Sequence, residues 1–132
     1  MVKKAALIYG VVFLLIGIAG FIPALTPDDD HSMPLLFGIF MVGVVHNIIH
    51  LGSGLAALFS AQKDEWARMY FQVFGLVYAL VTIIGFVQGD TVLGLFHVNL
   101  ADNLLHLFLA VTMLGIGFGA KDDDDVQPAI IG

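Results

Sequence analysis

Three histidines and one aspartate carry most of the chemistry this chain can offer: His46, His50, Asp102 and His106. His46 and His50 are four residues apart, as are Asp102 and His106, and that spacing puts each pair on one face of an α-helix. Three imidazoles and a carboxylate suit zinc or another divalent first-row metal. His46, His50 and His106 could equally supply axial ligands to haem or a chlorophyll-type pigment. A proton or ion path is a third possibility, because ionisable groups inside a membrane are functional candidates. The plainest alternative is a structural polar network. In it Asp102 holds a histidine, Asn47, Asn99 and Asn103 bridge to backbone or to each other, and the cluster sets the register between helices. Such intramembrane contacts average about 0.6 kcal/mol each, so the network would fix geometry more than stability. No nucleophile–base arrangement, phosphate loop or hydrolytic motif is present, and no catalytic residue is expected.

The elements that must position these residues are written twice. Residues 36–59 read LFGIFMVGVVHNIIHLGSGLAALF and residues 92–115 read VLGLFHVNLADNLLHLFLAVTMLG. Without a gap, Gly38 falls on Gly94, Phe40 on Phe96, His46 on Asp102, Asn47 on Asn103 and His50 on His106. The segments upstream also match, placing Gly10 on Gly75 and Gly20-Phe21 on Gly85-Phe86. Repeats fix architecture before any other reading. This one predicts an all-α, four-transmembrane-helix bundle built from two tandem helical hairpins, a parallel internal repeat about an axis along the membrane normal. The expected spans are residues 5–22, 44–61, 67–87 and 100–120, each near the ~20 apolar residues a crossing needs.

Composition agrees. The 132-residue chain is 59% apolar and only 12% charged, too apolar for a small soluble fold and sized for one integral membrane domain. It has no cysteine, which removes thiolate and disulfide chemistry, and its net charge of −6 offers nothing to nucleic acid. Lys3, Lys4, Lys63, Arg68 and Lys121 fall at the N-terminus, the middle loop and the tail, so both termini are expected in the cytoplasm. The N-terminus reads as a span, not a cleaved leader, because no A-x-A-like site follows it. Residues 35–40 and 92–96 are short apolar stretches that fit either interfacial turns or extensions of tilted helices.

Asn99, followed three residues later by Asp102, has the pattern of a helix N-terminus, which places the cluster within two turns of the non-cytoplasmic surface. Gly43, Gly54 and Ala57 share an arc with His46 and His50; Ala110, Met113 and Gly117 continue the arc of Asp102 and His106. Small residues let helices approach in lipid, so helices two and four are expected to meet along these stripes. The acidic loop Asp28–Asp30 with His31 reads as a solvated turn and His97 as a side chain reaching to the surface. The acidic tail, residues 121–132, reads as flexible.

The phrases LFGIF…VVHNIIHLGSGL, LGLFHVNLADNLLHLFLAV and GVVFLLIGIAGFIPAL resemble a family of small bacterial four-helix membrane proteins catalogued as a domain of unknown function. The resemblance runs from about Ala5 to Gly119 and rests on its HN-x-x-H and DN-x-x-H phrases. It implies that His46, Asn47, His50, Asn99, Asp102, Asn103 and His106 carry the family pattern. This chain departs from symmetry at Gly43, where the second copy has Asn99. The resemblance assigns no activity. The expected role is a non-catalytic accessory or structural subunit, packed in the lipid bilayer of a bacterial cytoplasmic or photosynthetic membrane against other integral membrane proteins or itself. A histidine-based carrier of a metal, haem or pigment is the first alternative, and an oligomeric ion or proton channel the second.

Overall fold

Each apolar run forms one helix. The computed structural model describes residues 1–28 and 33–120, with α1 over Val2–Ala19, α2 over Val44–Ser60, α3 over Asp64–Gln88 and α4 over Leu100–Gly119. The fold is an all-α bundle. The Asp29–His31 part of the acidic loop and the 121–132 tail lie outside the described residues.

Helix α1 stops at Ala19, three residues short of the expected end of the first span at residue 22. Gly20 is its C-cap, and its N–H bonds the Ile16 carbonyl at 3.0 Å. The chain then tightens into i→i+3 bonds (Phe21 N to Ile18 O and Ile22 N to Ala19 O, both 3.0 Å), and Pro23–Leu25 forms a 3₁₀ turn. Hydropathy could not find this end, because Phe21 and Ile22 are as apolar as the helix before them. At the other extreme α3 starts at Asp64, earlier than the apolar run, with Asp64 and Glu65 in its first turn. Carboxylates there meet the positive end of the helix dipole, which extends a helix through residues that hydropathy rejects.

The stretches left open as turns or helix extensions are β-hairpins. Strand β1 (Leu35–Leu36) pairs with β2 (Phe40–Met41), and β3 (Thr91–Val92) with β4 (Phe96–His97), both antiparallel. Each turns on two successive residues of positive φ: Phe37 (54°) and Gly38 (71°), then Leu93 (53°) and Gly94 (69°). Two such residues define the type I′ turn, whose twist matches that of the strands. Glycine adopts the conformation freely, whereas a side chain such as Phe37 or Leu93 costs about 1–2 kcal/mol. Ile39 N to Leu36 O (3.1 Å) and Leu95 N to Val92 O (2.9 Å) close the turns.

The close helix pairs are α1 with α2 and α3 with α4. A Cβ on Gly54 would lie 2.9 Å from the Gly10 carbonyl, and one on Gly117 would lie 2.8 Å from Gln72 N. The small-residue stripes of α2 and α4 therefore seat the neighbouring helix of their own hairpin. This corrects the expectation that the stripes face each other. What α2 and α4 share is their polar residues.

The exterior is apolar along every helix. Leu15, Ile48, Leu76 and Phe108 are exposed, while His46, Asn47, His50, Ser53, Thr82, Asp102, Asn103 and His106 are buried. This inside-out distribution suits lipid, where polar side chains face the bundle interior. By length and composition α1, α3 and α4 can cross a membrane; α2 is apolar and 17 residues long. The described basic residues gather at one end, where Lys3 Nζ meets Asp64 Oδ2 at 3.1 Å, Lys63 lies 4.4 Å from the Trp66 ring centre, and Arg68 Nη1 reaches the Gly117 carbonyl at 3.4 Å. The two β-hairpins close the opposite end.

Candidate functional site

Under the hairpins, the first turns of α2 and α4 deliver the polar cluster. His46 is the third residue of α2 and Asp102 the third of α4, with His50 and His106 one turn deeper. The α4 end is capped from its own sequence: Asn99 Oδ1 accepts from Asp102 N and Asp102 Oδ2 from Asn99 N, both at 2.9 Å. This is a capping box, the reciprocal pairing that Asn99 and Asp102 promised. The α2 end has no such device, because its N-cap is Gly43 and no side chain caps it.

Asp102 does a second task. Its Oδ2 also accepts from Met41 N at 3.0 Å, and Asn99 Nδ2 donates to the Ile39 carbonyl at 2.8 Å. The N-terminus of α4 thereby clasps the hairpin of the other half. The expected Asp–His contact is not what this carboxylate makes: among the described residues its bonds go to backbone N–H groups.

The three histidines converge without it. One nitrogen from each of His46, His50 and His106 lies within 4.8 Å of the other two. The His46 ring is centred 4.6 Å from His50 and 5.7 Å from His106. His46 Nδ1 donates to the Met41 carbonyl at 3.1 Å, so in the neutral ring Nε2 keeps its lone pair. That Nε2 is buried with no hydrogen-bond partner, and so are Nδ1 of His50 and Nδ1 of His106. A buried polar atom left unpaired costs about 1–3 kcal/mol. Three of them on neighbouring rings are not a hydrogen-bonded network.

Aromatic rings build the walls. Phe13 stands 5.8 Å from His50, Tyr78 stands 5.5 Å from His106, and Phe13 stacks on Tyr78 at 5.7 Å. Phe96 covers His46 at 5.0 Å. Phe13 and Tyr78 escaped the sequence reading, although the alignment that puts Gly10 on Gly75 also puts Phe13 on Tyr78. Looking at polar residues alone hid the rings that confine them.

Asn47 and Asn103 are wedged beside glycines. A Cβ on Gly20 would collide with the Asn47 amide, and one on Gly85 with the Asn103 amide. The sequence marked both pairs as repeat matches but not as mutual contacts. Their function is spatial: the glycine leaves room for a buried amide where α1 passes α2 and where α3 passes α4. His97 is exposed on β4 and lines, together with His46, a pocket of about 240 Å³.

A cavity of about 50 Å³ lies beside the cluster, lined by Leu36, Phe40, Val42, His50, Asp102 and His106 among others. It suits a water-sized ligand, well below the roughly 300 Å³ at which pockets for drug-sized molecules begin. A larger groove of about 280 Å³ opens between α1 and α4, lined by Ile8, Val12, Phe108 and other apolar residues, and of the three histidines it reaches only His50. Towards the charged end, the core beyond the cluster is mainly apolar, with Phe13, Ala6 and Phe71, and its buried polar groups there include Ser53 and the Tyr70 hydroxyl, which donates to the Ser53 carbonyl at 3.2 Å.

No curated protein and no solved structure matches this chain. One family model does: its match spans residues 3–119 and takes in both hairpins, all three histidines and the capping box. The chain therefore belongs to the family described as domain of unknown function (DUF4383), in agreement with the resemblance carried by its HN-x-x-H and DN-x-x-H phrases.

Proposed function

We propose that this chain is a non-catalytic accessory or structural subunit of a larger membrane assembly, crossing the bilayer four times with both termini in the cytoplasm. The observation that carries this reading is the division of its surface. Leu, Ile, Val and Phe cover the outside of all four helices, while the buried polar groups turn inward. Within the bilayer, such a molecule offers its surroundings packing surface and little else. Two threonine hydroxyls are also occupied with local backbone: Thr82 Oγ1 donates to the Tyr78 carbonyl at 2.7 Å and Thr112 Oγ1 to the Phe108 carbonyl at 2.9 Å.

Four crossings follow if α2 is completed by its hairpin. Its 17 residues rise about 26 Å, against a hydrocarbon core of about 30 Å, and β1–β2 continues the same path. The orientation rests on Lys3, Lys63 and Arg68, which share one end with Trp66. We read the halves as tandem copies. Support comes from the matched turns at Phe37-Gly38 and Leu93-Gly94 and the matched contacts of Gly20 with Asn47 and Gly85 with Asn103.

The test is the native mass of the chain after mild-detergent extraction from its own membrane, with co-migrating proteins identified. A particle much heavier than a few copies of 14.2 kDa, containing a reproducible membrane partner, is the expected result. A monomer or small homo-oligomer that migrates alone overturns the subunit role.

A further inference from the structure

We propose that His46, His50 and His106 form an intramembrane site for one first-row transition-metal ion of the zinc class. Three observations converge on it. The donor set is three imidazoles, ligands suited to zinc, copper, nickel and iron and poor for calcium or magnesium. Each ring keeps one buried nitrogen without a hydrogen-bond partner, on three neighbouring side chains. His46 also has the support that metal-binding histidines usually have: its Nδ1–H is fixed on the Met41 carbonyl at 3.1 Å, which orients the ring and leaves Nε2 to coordinate.

The spacing is compatible with a single ion. Tetrahedral ligands at about 2.0–2.1 Å from zinc stand about 3.3 Å from one another. The candidate nitrogens lie within 4.8 Å, so side-chain rotations that bring them up to about 1.5 Å closer complete the site without moving a helix. Each of the two helices is seated against its own hairpin partner, α2 on α1 and α4 on α3, by close glycine contacts that such rotations leave intact.

Charge and the fourth position follow from the same place. Three neutral imidazoles leave the ion's double charge uncompensated in a low-dielectric interior. The cavity of about 50 Å³ beside His50 and His106 has room for a water-sized fourth ligand, and Asp102 lines it. A bound hydroxide together with the Asp102 carboxylate would neutralise a divalent ion. Asp102 thus acts as a nearby counter-charge, held by Met41 N and Asn99 N, while the three histidines are the ligands.

This inference is independent of the subunit role, since a protein of any assembly state can hold the ion. The test uses the full chain purified in mild detergent, stripped with a chelator and titrated with zinc and with cobalt(II). Expected are one tightly held equivalent per chain and the intense visible absorption of four-coordinate cobalt with nitrogen ligands. His31→Ala and His97→Ala should keep both, because those residues lie elsewhere in the sequence and on the exposed β4 strand respectively. His50→Ala and His106→Ala should abolish both, with helical content checked by circular dichroism. Should the variants fail to fold, the wild-type cobalt spectrum decides alone: the weak absorption of a six-coordinate, solvated ion overturns the site. Failure to take up either metal overturns it as well, as does full uptake by folded His50→Ala.

Discussion

The two halves of this molecule share a plan and differ in how they finish it. In both, a type I′ turn leads into a helix that carries an asparagine against a glycine and a histidine against an aromatic ring. At the start of those helices the likeness ends. The second half has Asn99 and Asp102, which cap α4 and hold the first hairpin; the first half has Gly43 and His46, which leave α2 without a side-chain cap. One pair of substitutions thus separates a helix terminus that stabilises both halves from one that contributes a free imidazole nitrogen. Where the two halves share a plan, the matched positions are those where packing leaves little choice, and the differing ones are where the chemistry differs.

The largest effect should come from breaking what the halves share. Gly20→Val and Gly85→Val each force a branched side chain into a buried amide, and overpacking of this kind costs about 1–3 kcal/mol or more. Both variants should unfold at clearly lower temperature in detergent, by similar amounts. A tolerant Gly20 beside an intolerant Gly85 would mean that the matched contacts do not carry matched loads.

Asp102→Ala tests the asymmetry. It removes the capping box and leaves Met41 N–H without its acceptor, at a cost of about 1–3 kcal/mol. Amide exchange should accelerate at Met41 in the first half as well as at Asn99 in the second. His46→Ala, at the matched position, should leave exchange at Val98 unchanged, since that N–H bonds the Asp90 carbonyl within its own half. Equal loosening of both hairpins in both variants would erase the distinction. The smallest effect should come from restoring symmetry: Gly43→Asn supplies the missing cap to α2. Glycine is a tolerable N-cap, so the gain is only a few tenths of a kcal/mol, read as a slight rise in melting temperature.

What the sequence disclosed follows the same division. The helices were legible because apolar runs of the right length have few alternatives, and the capping box because Asn99 and Asp102 interact locally, three residues apart. The convergence of His46, His50 and His106 was legible as a possibility, since i,i+4 pairs must share a face. Asp102 was placed on the right helix and given the wrong partner: its contact with Met41 spans 61 residues, and no local spacing encodes that. The hairpins were hidden because Leu35–Phe40 and Val92–Phe96 are as hydrophobic as the spans they precede. Only the glycines at 38 and 94 hint at a left-handed turn. The small-residue stripes were found, but composition alone does not say which neighbour a stripe faces.

The clasp between Asp102 and Met41 also sets a clock on biogenesis. The first hairpin is synthesised with Met41 N–H and the Ile39 carbonyl lacking the partners they have in the finished fold, and those partners arrive about 60 residues later. At about 5–20 residues per second, the nascent chain spends roughly 3–12 s between the two events. During that interval the first half must stay near the polar surface or borrow hydrogen bonds from elsewhere. The two halves can be clasped together only after the last helix has begun to form.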